Sequence, residues 1–147
     1  MPEVTIDTTV IFRANVPLTG DRASARLLSK RLALLRRLQS RDLVAFMSPS
    51  LLDEYVRQIL PAKNEVTKAF LDLVASPDGT RVIWNWKNSW SGGERARARA
   101  CRYPAEDDHV LRTAIRDTPT TIYTEETRML QANRCVYREF RVHIVEP

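Results

Sequence analysis

Apolar and polar positions along this chain switch between two rhythms, and the switches predict the elements. Val4, Thr5 and Ile6 form a short apolar strand that runs straight into a carboxylate, Asp7. From Asp21 to Arg41 the period becomes helical: Leu27, Leu28, Leu32, Leu34, Leu35 and Leu38 share one broad face, opposite Arg22, Arg26, Lys30, Arg37 and Arg41. The arginine stripe reads as a solvated helix face. Arg31 lies among the leucines, which predicts that their face meets something polar, such as a second subunit.

Leu43 to Met47 is a second apolar strand. Ser48-Pro49 then opens a helix, serine being a good N-cap and proline suiting the first turn. That helix carries Leu51, Leu52, Tyr55, Val56, Ile59 and Leu60 as far as Pro61. A further helix covers Asn64 to Ala75, closed by Ser76-Pro77-Asp78-Gly79. Arg81 to Trp86 reads as a strand and Asn88 to Gly93 as a flexible loop. Ala105 to Arg116 is helical, Thr120 to Thr124 a strand, Glu126 to Gln131 a short helix, and Phe140 to Val145 a last strand. Strands alternating with helices predict an α/β fold with βαβ units and a mainly parallel sheet. Ligands of such sheets sit beyond the carboxyl ends of the strands, where Asp7 and the segment 124–126 fall.

The 147 residues suit a single domain, 1–147, without internal repeats. No apolar run approaches the ~20 residues that span a bilayer, and the first residues lack the basic stretch of a signal peptide. The expectation is a cytoplasmic protein. In a reducing compartment the two cysteines, Cys101 and Cys135, are free thiols by default, with a disulfide as the minor alternative. Neither has the spacing of a zinc site. The 23 Lys+Arg against 18 Asp+Glu leave a charge of +5, which favours a polyanion such as RNA. An acidic protein segment is attracted equally.

Phosphodiester cleavage needs charge neutralisation and an activated water, which carboxylate-bound Mg²⁺ or Mn²⁺ supplies. The acids available from different elements are Asp7, Glu54, the pair Asp107 and Asp108, and the pair Glu125 and Glu126. Acids in first turns also stabilise helices by ~0.3–1 kcal/mol, which alone accounts for every one of these except Asp7.

The motifs around these acids resemble those of the PIN-domain ribonucleases. Ile6-Asp-Thr-Thr-Val-Ile-Phe looks like the family's opening, an apolar strand followed by Asp-Thr-Asn/Ser/Thr and more apolar residues, and Ser48-Pro-Ser-Leu-Leu-Asp-Glu-Tyr like its second signature. Glu106-Asp-Asp-His-Val-Leu-Arg-Thr-Ala is similar to the third, Thr120-Thr-Ile-Tyr-Thr-Glu-Glu to the fourth, and Tyr137 to Pro147 to the closing strand. Individually these motifs are short and of common residues, but all five occur in order over nearly the whole chain.

The resemblance implies a PIN-like three-layer α/β/α sandwich and a metal-dependent endoribonuclease. Asp7, Glu54 and Asp108 would hold one or two Mg²⁺ or Mn²⁺ ions. Asp108 is preferred to Asp107 because it precedes Glu126 by the interval the family leads one to expect. Glu126 would be the fourth acid, where aspartate is commoner, and Thr8, Thr124 and Asp107 would support the site. Water would attack in line, leaving a 5′-phosphate and a 3′-hydroxyl. Small members of the family are often toxins, which implies an antitoxin partner. The longer fourth acid leaves room for a PIN fold that only binds RNA or protein.

Trp84, Trp86 and Trp90 precede Gly92-Gly93 and Arg95, Arg97, Arg99 and Arg102. Trp90 and these arginines are candidate RNA contacts, since rings stack on unpaired bases and guanidinium groups neutralise the backbone. An Arg-rich solvated helix beside a tryptophan-anchored core explains them as well. His109 and His143 are not nominated. A phosphoryl-accepting receiver domain is the third possibility, but the lysine and acceptor aspartate it requires have no good match.

Overall fold

The computed structural model describes residues 2–18, 25–76, 81–86 and 89–147. Five strands, β1 (Glu3–Ile6), β2 (Val44–Met47), β3 (Val82–Trp84), β4 (Thr120–Tyr123) and β5 (Val142–Val145), form one sheet in the order β3-β2-β1-β4-β5. Every neighbouring pair is parallel. The chain adds β2 and β3 on one side of β1, then returns to add β4 and β5 on the other. The winding therefore reverses between β1 and β4, the crevice where open α/β sheets take their ligands. Receiver-type domains have the order 2-1-3-4-5, which this sheet does not share.

Because crossovers between parallel strands are right-handed, reversing the winding puts the two sets of helices on opposite faces. The first set is α1 (Thr8–Ala14), α2 (Ala25–Gln39), α3 (Pro49–Ile59) and α4 (Glu65–Val74). Here α1 packs on α2 and α3, and α2 on α4. The second set is α5 (Gly92–Ala100), α6 (Asp108–Ala114), α7 (Thr127–Gln131) and α8 (Asn133–Phe140), with a 3-10 turn at Ala105–Asp107. α6 lies against β1, β2 and β4, and α8 against β5. The interior strand β2 is buried throughout, whereas β5 alternates buried with more open positions, as an edge strand covered on one face should.

Several predicted elements differ. The run after Asp7 is a helix, α1, in spite of Thr8, Thr9, Val10 and Ile11, because burying Thr8, Val10, Ile11 and Ala14 against the core outweighs weak propensity. The first residues of the helix predicted from Asp21 to Arg41, Asp21 to Ser24, lie outside the described residues, as do Pro77-Asp78-Gly79 and Asn88. The loop predicted to reach Gly93 gives way to α5 at Gly92, where Ser91 and Glu94 form a reciprocal capping box. The last strand starts at Val142 rather than Phe140. Phe140 ends α8, and Arg141 turns the chain in the left-handed region.

Cys101 and Cys135 are joined by a disulfide, correcting the expectation of free thiols. The cause is tertiary: Arg97 of α5 donates to the Glu139 carbonyl at 2.8 Å and covers the Phe140 ring, setting α5 beside α8. Arg31 also has its partner within the chain. Its Nε and Nη2 donate to the two carboxylate oxygens of Glu125, each at 2.6 Å, so Glu125 of the same chain supplies a polar contact of the kind foreseen for the leucine face. Among the described residues, no helix is long and apolar enough to cross a membrane.

Candidate functional site

Asp7 follows β1 directly and Thr124 follows β4, so both stand at the point where the winding reverses. The Thr124 hydroxyl donates to Oδ2 of Asp7 at 2.7 Å, and the Thr9 hydroxyl donates to the same oxygen at 2.7 Å. Asp7 occupies the N-cap of α1 but makes no side-chain cap there. The residue as a whole is only 2% exposed. Burial raises its pKa, and the charge of Glu54 adds to this against the two hydroxyl bonds.

Glu54 comes from the second turn of α3. Ser48 fixes the start of that helix, accepting from the Leu51 N–H at 3.3 Å and pairing with the Thr113 hydroxyl of α6 at 2.7 Å. Tyr55, the next residue, is buried and donates to the Ile6 carbonyl, which fastens α3 to the end of β1. The Glu54 carboxylate takes a hydrogen bond from the Thr8 hydroxyl and lies 2.9 Å from Nε2 of His109. Burial pushes Glu54 upward, but His109 and Thr8 outweigh it and the net pKa is lowered.

Asp7, Glu54 and Asp107 line a single cavity of about 350 Å³, together with Thr8, Thr9, Phe12, Arg13 and Gln58. Asp107 sits at the end of the 3-10 turn, held by the Tyr103 hydroxyl, which donates to its carbonyl at 2.8 Å. Burial pushes its carboxyl up to about 7, with the charges of Asp7, Glu106 and Glu54 adding and that of His109 opposing. Asp108, one residue on, is rotated by about 100° around the helix axis and is ion-paired with Arg99 of α5 instead. The sequence interval that favoured Asp108 takes no account of this rotation.

Glu126 does not line the cavity. Its carboxylate caps α7, accepting from the Arg128 N–H at 3.4 Å. The basic segment is also divided. Arg99 reaches an acid beside the site, while Arg97 is engaged with Glu139 and Phe140. Trp90 packs edge-on to Phe140 at 6.3 Å under the guanidinium of Arg112. Arg95 and Arg102 are exposed. His109 was not nominated from sequence, and neither was Thr9. The only sequence signal for His109 was its place next to the acids; its partner Glu54 is 55 residues away.

Among the described residues, no three Asp, Glu, His or Cys side chains are gathered closely enough to form a ready metal cage. The donors that share the cavity are carboxylate and hydroxyl oxygens, which suit a hard divalent ion. Comparison of the chain with protein-family models, with curated proteins and with solved structures returns no match.

Proposed function

We propose that the protein is a PIN-like, divalent-metal-dependent endoribonuclease. The carrying observation is the accumulation of carboxylates at the sheet's reversal point, with Asp107 pushed up to about 7 by burial and by Asp7. Three acids sharing a cavity repel one another, and a cation relieves that repulsion. Asp7, Glu54 and Asp107 would hold Mg²⁺ or Mn²⁺, with Asp108 beside them when Arg99 releases it. Such an ion, when bound, neutralises a phosphate oxygen and makes a bound water acidic enough to supply hydroxide near neutral pH.

The protein's own groups prepare the site. Thr9 and Thr124 fix the Asp7 carboxylate, and Thr8 with His109 fixes Glu54, as partners behind metal-ligating carboxylates do. Arg13 lines the same cavity and is placed to meet a phosphate.

The test is cleavage of single-stranded RNA with Mn²⁺ or Mg²⁺, by the wild type and by Asp7→Asn. Cleavage that needs the metal, stops with EDTA and falls at least about 100-fold in Asp7→Asn supports the proposal. Equal cleavage by both proteins contradicts it. A second reading is a PIN-like module that binds RNA or a protein without cutting. It draws on the pairing of Glu54 with His109 and of Asp108 with Arg99, and on the absence of a ready metal cage among the described residues. RNA binding without metal-dependent cleavage selects this reading. An antitoxin partner, resting on the sequence resemblance, and a cytoplasmic setting, expected from the sequence reading but opposed by the Cys101–Cys135 disulfide, are further parts of the proposal.

A further inference from the structure

Three rings in the described structure are each covered by a guanidinium group: Phe140 by Arg97, Trp90 by Arg112 and Phe46 by Arg116. Trp86 is different. Its indole is 69% exposed, and the ring stacked on it is Trp84, with centroids 5.4 Å apart and planes 20° from parallel. Trp84 in turn packs against the core, so the inner ring is anchored and the outer one presents a flat face to solvent.

The place of this pair is informative. Trp84 ends β3, and the Asn85 N–H continues the ladder by donating to the Met47 carbonyl of β2 at 2.7 Å. The pair therefore stands on the same carboxyl edge as Asp7, with β2 between. Strands lie about 4.8 Å apart, so β3 is roughly 10 Å from β1. The Asn85 amide also donates to the Arg112 carbonyl at 3.1 Å, tying the β3 end to α6, the helix whose start carries Asp107 and His109. A chain of bases occupying the acidic cavity would thus reach the indole face within a few nucleotides.

We infer that the Trp84–Trp86 stack is a base-binding subsite for single-stranded RNA, positioned to one side of the acidic cavity. Stacking gives affinity for any unpaired base, because every base has a π face. The net charge of +5 favours a polyanion over an acidic-cavity ligand that is itself neutral. The subsite rests on the ribonuclease reading for its substrate, but stacking needs no metal, so the two can be tested apart.

The test is fluorescence anisotropy of a labelled oligouridylate 12-mer in EDTA, with wild type, Trp86→Ala and Trp86→Phe, beside Mn²⁺-dependent cleavage of the same strand. Trp86→Ala should weaken binding by about tenfold, and Trp86→Phe, which keeps a ring, by much less. An abasic strand and a fully paired duplex should bind the wild type weakly. Equal binding by wild type and Trp86→Ala, or no preference for unpaired over paired or abasic strands, overturns the subsite. If cleavage persists in that case, the ribonuclease reading stands without it. If binding follows the expected pattern and no metal-dependent cleavage occurs, the subsite stands and the catalytic reading falls.

Discussion

Nε2 of His109 lies 2.9 Å from Oε2 of Glu54, joining the first turn of α6 to the second turn of α3, which carries a residue of the acidic cavity. Burial pulls His109 down, yet its close pairing with Glu54 and the surrounding carboxylates leave its pKa raised. Glu54 is lowered in the same exchange. The contribution of His109 is complete below its ordinary value of 6.5 and is lost as pH rises through the higher folded value. That of Glu54 is complete above 4.5 and is lost as pH falls through the lower folded value.

The pair thus stabilises the fold most between pH 4.5 and 6.5. His109→Gln should be less stable than wild type in that window, and the deficit should shrink in alkaline solution. Urea unfolding at both conditions measures this. A deficit independent of pH would mean that His109 acts by packing alone.

The Arg31–Glu125 pair is buried, with side chains 10% and 8% exposed. Removing one partner of such a pair costs about 3–5 kcal/mol, less the part that Arg13, 3.2 Å from Glu125, still compensates. Arg31→Met should lose that much in chemical denaturation at neutral pH, and Arg31→Met with Glu125→Leu should recover most of it. Burial raises Glu125, but Arg31 and Arg13 lower it further, so its share is complete above 4.5 and disappears as pH falls through the lowered value. A double variant no better than the single one would contradict this account.

These two pairs show where sequence stops being informative. The apolar rhythm located the strands, the Ser48-Pro49 cap and the acids at strand ends, because those depend on neighbours within a few residues. Arg31 announced its need for a polar partner, but Glu125 is 94 residues away, and only the fold brings them together. The same holds for His109 with Glu54 and for Cys101 with Cys135. Choosing between Asp107 and Asp108 required the orientation of a helix start relative to α5, which no interval along the chain encodes. Helix α1 was concealed by β-branched residues whose propensity is overruled by packing.

The disulfide closes a loop with a sequence separation of 34, for which the chain-entropy argument gives about 3–4 kcal/mol of stabilisation. Native protein should show no titratable thiol, and reduction should lower the urea midpoint accordingly. Two reactive thiols in unreduced, unfolded protein would contradict the pairing.

Asp107 has its carboxyl at about 7 against an ordinary value of 3.8. A raised carboxyl favours the fold fully below 3.8, and that share is lost as pH rises through about 7. In EDTA, Asp107→Asn should therefore gain stability over wild type as pH rises from 3.8 to about 7, and the gain should level off above it. Asp7→Asn should lower the Asp107 value, since the charge of Asp7 is the largest contribution after burial. Carboxyl titration by NMR reads both. An Asp107 that titrates near 3.8 in the wild type would remove the crowding on which the cation argument depends.

The most direct measurement is Mn²⁺ binding by electron paramagnetic resonance, without RNA. Wild type should bind Mn²⁺, Asp7→Asn and Asp107→Asn should lose that binding, and Thr124→Val, which removes one of the two hydroxyl bonds to the Asp7 carboxylate, should weaken it by roughly 10–100-fold. Binding unchanged in Asp7→Asn and Asp107→Asn would contradict the assignment of this cavity as a metal site.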